Sequence, residues 1–131
     1  MTLRQEDRNS VVIIRLRKAN ETIVEAKANM QLGYWRVTAN RLYYACYYAA
    51  SALLIKHGIT AHTHTGVINQ IGLHFVSKGF ISKEQGKLLK QLFELRQNGD
   101  YSDWYDVDEK DVKPLVEPVE KFIAEIKSLI N

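Results

Sequence analysis

From Leu42 to Ile55 the chain is an almost unbroken run of apolar and aromatic residues, interrupted only by Ser51. A segment with no polar face must be surrounded by protein or by lipid. It is shorter than the roughly 20 residues needed to cross a bilayer, so it reads as a core helix around which the rest must pack. With its polar flank, this central helix spans about Trp35 to His57. Leu42, Tyr43, Cys46, Ala49, Ala50, Leu53 and Leu54 lie within it, and Gly58 is placed to end it.

The neighbours are amphipathic, with apolar spacing near 3.6 residues. A first helix is expected from about Ser10 to Met30, with Ile13, Leu16, Ile23, Val24 and Met30 facing inward and Gly33 closing the segment. A shorter third helix covers about His64 to Lys78, with Val67, Ile68, Ile71, Phe75 and Val76 inside and Gly79 after it. Ser82 and Gln85 have capping-box spacing and open a fourth helix, whose Leu88, Leu89, Leu92, Phe93 and Leu95 face the core. Asn98-Gly99 is expected to stop it. A fifth helix begins near Asp108, with Pro114 tolerable in its first turns and Pro118 placed to kink it. The expected fold is an all-α antiparallel bundle of about five helices, four long and one shorter. No linker, repeat or low-complexity tract divides residues 1–131, so one domain is expected.

Cys46 is the only cysteine, which excludes an internal disulfide, fits a reducing compartment and, in an apolar run, reads as a small core residue. The charged start MTLRQEDRNS does not resemble a secretory signal, and a cytoplasmic protein is expected. Charge is uneven. Residues 1–60 hold nine Lys/Arg against four Asp/Glu, residues 61–99 five against two, and residues 100–131 four against nine. A basic body with an acidic end suits a phosphate-bearing ligand or RNA, and is also common in bundles without either.

No metal site is expected. His62 and His64 stand two apart, without Cys46, His57 or His74 at ligand spacing. The run Asp100, Asp103, Asp106, Asp108 lacks the glycine and terminal glutamate of a calcium loop. Glycine-rich phosphate loops and hydrolase elbows are absent from the sequence, and no cofactor is expected. Lys83, Lys87 and Lys90 share a helical face that suits solvent.

Two blocks remain. Tyr43, Tyr44, Tyr47 and Tyr48 cannot all point inward from one helix, and those that do need partners for their hydroxyls. Arg96 is followed by Asp100 and Tyr101. An arginine there either complements the helix dipole and pairs with Asp100, or holds an anion.

Four stretches resemble the HEPN family in its order and approximate spacing: Ala39 to Ala50, Thr63 to Val67, Phe75 to Gly79 and Leu95 to Tyr101. The resemblance covers nearly the whole chain from about Arg15. It implies a helical bundle that pairs as a two-fold homodimer. It also implies an RNA or nucleotide ligand and a minimal nucleotidyltransferase partner in a toxin–antitoxin system. Many members are ribonucleases whose site is an arginine followed, after four to six residues, by a histidine. Carried over, the arginine is Arg96. Tyr101 stands where the histidine is expected, and no histidine follows it. Tyrosine, with a reference pKa near 10, is a poor general base at neutral pH. Arg96 and Tyr101 are therefore the catalytic candidates, and Arg96, Asp100, Tyr101, Tyr44 and His64 the binding candidates. His64 enters through its place in the matched Thr-His-Thr-Gly stretch. The expectation is a module that binds a nucleotide or RNA phosphate in a dimer cleft. A metal-independent ribonuclease toxin and a protein-interaction subunit are the alternatives.

Overall fold

A computed structural model describes residues 4–131. The described residues form helices α1 (Gln5–Gln31), α2 (Trp35–Lys56), α3 (His64–Ile71), α4 (Lys83–Tyr101), α5 (Glu109–Val112) and α6 (Val116–Ile130). One π-helical turn, Gly72–Val76, extends α3, and a 3₁₀ turn, Lys113–Leu115, joins α5 to α6. Four long helices and shorter α3 make the expected all-α bundle.

The apolar run is the centre of that bundle. Ala39, Leu42, Tyr43, Ala45, Cys46, Ala49, Ala50, Leu53 and Leu54 of α2 are buried, and α1, α3, α4, α5 and α6 all pack against this helix. Two glycines turn the chain at its ends. Gly33 has φ +76° and its N–H donates to the Met30 carbonyl, while Gly58 has φ +69° and donates to Ile55. A side chain at such φ values is strained, so these positions favour glycine.

α1 buries a different stripe from the expected one. Val12, Ala19, Thr22 and Ala26 face the core, whereas Ile13 and Val24 are 66% and 65% exposed. Leu16, Ile23 and Met30 are half-buried. Val12, Ala19 and Ala26 are seven apart, and the two alanines let the α1 backbone lie close to α2. The Thr22 hydroxyl, buried in this contact, donates to the Lys18 carbonyl at 2.6 Å.

At the start of α4 the Ser82 hydroxyl accepts from the Gln85 N–H at 3.2 Å, but Gln85 Oε1 has no partner, so only half of the expected capping box forms. Gly99 does not stop α4, which continues to Tyr101. A Cβ at Gly99 would lie 2.8 Å from Val107 Cγ2 and 3.4 Å from Arg36 Cγ. The glycine there is explained by close approach of the following loop rather than by a helix end. The last helical stretch breaks at Lys113–Leu115, around Pro114, and Pro118 falls in the first turn of α6, where its missing N–H costs no bond. Val119, Phe122, Ile123 and Ile126 then seat α6 on the core.

Candidate functional site

Positions 36, 40, 44 and 47 recur at helical spacing along one face of α2, and this face meets the last two turns of α4. Asp100 is held there from both sides. Its Oδ2 accepts from Asn40 Nδ2 at 2.9 Å, and its Oδ1 stands 3.7 Å from Arg36 Nη1. Arg96, one turn before Asp100, has a side chain only 12% exposed. Its Nη2 donates to the Tyr44 hydroxyl at 3.0 Å and to the Tyr101 hydroxyl at 3.4 Å.

The guanidinium carbon lies 5.2 Å from the centre of the Tyr44 ring, 5.4 Å from that of Tyr101 and 6.0 Å from that of Tyr43. Stacking of this kind favours a planar cation and fixes its plane. Arg96 Nε is 3.2 Å from Asp100 Oδ2, yet its N–H does not point at that oxygen, so the contact is a charge pair rather than a hydrogen bond. Among the described residues Nη1 has no acceptor within hydrogen-bonding reach. The arginine is thus oriented on one side and unengaged on the other.

His64, the first residue of α3, joins the same cluster. Thr63 caps the helix by accepting the Gly66 N–H at 2.9 Å, which places the imidazole over the α2 tyrosines. The ring centres of His64 and Tyr47 are 4.7 Å apart, and Phe93 stacks on the imidazole at 6.1 Å. His64 Nδ1 and the Tyr43 hydroxyl are 2.6 Å apart.

Tyr43 is fully buried, and burial together with the neighbouring Tyr47 and Tyr44 hydroxyls raises its pKa, so it keeps its proton. His64 Nδ1 is the acceptor within its reach. The Tyr43 hydroxyl therefore donates to Nδ1, and the neutral imidazole carries its proton on Nε2. Burial first, and then the charge of Arg96, hold the His64 pKa below its ordinary 6.5.

All five candidates, Arg96, Asp100, Tyr101, Tyr44 and His64, are brought into one neighbourhood. Arg36, Asn40, Tyr43, Tyr47 and Phe93 belong to it as well; the sequence marked Tyr43 and Tyr47 as part of a tyrosine block and Phe93 as core, but none of the five as a site residue. The recurrence of 36, 40, 44 and 47 on one helix face was the available signal. Tyr101 is 70% exposed and Trp104, three residues on, is 97% exposed, so the cluster opens to solvent beside two bare aromatic rings. Lys83, Lys87 and Lys90 lie on the exposed face of α4. Among the described residues no three of His, Cys, Asp and Glu stand together as metal ligands, and no helix is long and apolar enough to cross a membrane.

The depressed pKa of His64 has a consequence for stability with the sign of a group that resists protonation in the fold. Its contribution is complete above about pH 6.5 and is lost as the pH falls through the lower folded value. A titration of the His64 Cε1 proton by NMR is expected to show a midpoint below 6.5, moving upward in Tyr43→Phe. A midpoint at or above 6.5 in the wild type would contradict this environment.

A family model described as HEPN domain matches residues 13–129. A UPF0332 protein of Thermotoga maritima is 35% identical over 115 residues, which cover 88% of this chain and 87% of that protein. A protein of Methanocaldococcus jannaschii named "Putative toxin MJ0605" is 30% identical over 113 residues, covering 86% of this chain and 84% of that one. In fold, the crystal structure of TT1696 from Thermus thermophilus superposes with a TM-score of 0.77 at 14% identity, over 90% of this chain and 97% of that one.

Proposed function

For this chain, which belongs to the HEPN domain family, we propose a site that holds the phosphate of a nucleotide or of RNA on Arg96 without cutting it. The observation that carries the reading is the state of that guanidinium. It is nearly buried and oriented through Tyr44, Tyr101 and Asp100, yet its Nη1 edge is unengaged among the described residues. A prepositioned charged donor, the unengaged Nη1, suits a phosphate oxygen and loses little entropy on binding it. Arg36, Arg41 and Arg96 face Asp100 and Glu25 in this neighbourhood, which leaves one net positive charge.

His64 supports binding over cleavage. A general base must offer an unprotonated nitrogen to the substrate. With Nδ1 taken by Tyr43, the nitrogen left to a ligand is Nε2–H, a donor. His64 then supplies a neutral hydrogen bond beside the charged ones of Arg96.

The exposed rings of Tyr101 and Trp104 fit a cleft completed by a second copy of the chain. The M. jannaschii relative's name supports a toxin-like role, and the reading extends to a cytoplasmic two-component system whose other half is a minimal nucleotidyltransferase. Sedimentation of the protein with a labelled single-stranded RNA, read at the label's wavelength, is expected to move the label with a species of about twice 15.1 kDa plus the mass of the RNA. A label left at the position of free RNA would remove the ligand from the proposal. A label moving with a monomer would remove the shared cleft.

A further inference from the structure

Tyr47 has a second neighbour. Its ring also lines an open cavity of about 300 Å³ between α1, the end of α2 and the connector into α3. Arg8 and Arg15, two turns apart on α1, both reach it, and Ser51 and Thr60 add hydroxyls. Among the described residues neither arginine has a carboxylate partner. The only side-chain bond of Arg8 there is a long one of 3.4 Å to Gln5 Oε1. Its guanidinium rests 3.7 to 3.8 Å from the position a Cβ would take on Gly58. Arg15 lies 5.9 Å from the centre of the Tyr48 ring. Ser51 is buried to 9% exposure, and its hydroxyl makes no hydrogen bond within the described residues. The rest of the wall is apolar, including Leu54, Ile59 and Val67.

Two unneutralised guanidinium groups over an apolar wall are unusual for a cavity of purely structural origin, because charges brought together without partners repel and lose hydration. They are what a ligand with a phosphate at one end and a flat apolar body at the other requires. The arginines are confined to one side, Ser51 presents a spare hydroxyl, and Tyr47 is a ring on which a base can stack.

We infer that this cavity is a second nucleotide subsite, joined through Tyr47 to the Arg96 and His64 site, so that the protein holds a short single strand of RNA rather than one nucleotide. The inference rests on the Arg96 reading. Along the strand, Arg96 takes one phosphate, Tyr47 lies between the two positions, and Arg8 with Arg15 takes a later one.

The test compares wild type, Arg96→Ala and the double variant Arg8→Gln/Arg15→Gln, titrated with AMP and with a six-nucleotide oligouridylate across a range of salt. The double variant is expected to lose one class of AMP site while keeping the AMP site that depends on Arg96. It should lose about tenfold or more in hexamer affinity, and its salt slope should fall by roughly 0.7 for each phosphate contact removed. Thr60→Glu, which sets a carboxylate at the cavity from an exposed position, is expected to act in the same direction and covers the case in which the double variant does not fold. Hexamer binding at wild-type affinity and slope in both variants, with Arg96→Ala still defective, overturns the second subsite and leaves the first standing. Failure of the wild type to bind either probe overturns both.

Discussion

Arg96→Ala is expected to weaken binding of a phosphate-bearing ligand by at least about a hundredfold while lowering the melting temperature by no more than about 5 °C. The binding loss follows from the chemistry of the contact. Hydrogen bonds to charged groups contribute about 1.5–3 kcal/mol each, and the free Nη1 of Arg96 carries two N–H groups that can make them. The small stability loss follows from what remains. Asp100 keeps Asn40 at 2.9 Å and Arg36 at 3.7 Å, so its carboxylate is not stranded. Tyr44 and Tyr101 stand near solvent, which can satisfy their hydroxyls. An arginine serving mainly to pair with Asp100 at the helix end would give the opposite pattern, a lower melting temperature with unchanged ligand affinity. Calorimetric titration and thermal unfolding of the same two samples separate these cases.

Leu53→Ala is expected to destabilise the fold by about 2–5 kcal/mol, the range for emptying a leucine-sized space in a core that relaxes only in part. Leu53 is fully buried in the helix against which the other helices pack. A domain's net stability is about 5–15 kcal/mol, so this single change removes a large share of it. Urea unfolding should show a lower midpoint at unchanged slope. A loss below about 1 kcal/mol would mean that α2 is not the centre of the bundle.

The central helix was legible because burial on every side leaves its mark in composition, whichever neighbours do the covering. Gly33 and Gly58 were legible because the backbone itself demands positive φ there. The inner stripe of α1 was not, since the largest apolar residues gave the wrong face. Ile13 and Val24 face solvent because the contact with α2 requires small residues, Ala19 and Ala26, and hydrophobicity alone does not report how closely two backbones approach. Gly99 misled in a related way. Its missing side chain makes room for Val107, from a loop whose path depends on tertiary packing.

The site was partly readable for the same reasons. Arg96, Asp100 and Tyr101 lie within six residues on one helix, so local spacing already puts the first two together. The meeting of His64 with Tyr43 joins residues 21 apart across a turn, and which of the adjacent tyrosines points inward is decided by the packing of α3 and α4 on α2. The tautomer of His64, and with it the preference for binding over cleavage, follows only once that contact is known.

The most direct test of the central claim is to incubate end-labelled single-stranded RNA with the wild type and with Arg96→Ala, divalent metals chelated, and to assay retention and integrity of the RNA together. The prediction is RNA retained and intact with the wild type, and free and intact with Arg96→Ala. RNA cut by the wild type but not by the variant would contradict a site that binds without cleaving, and equal retention by both proteins would contradict Arg96 as its anchor.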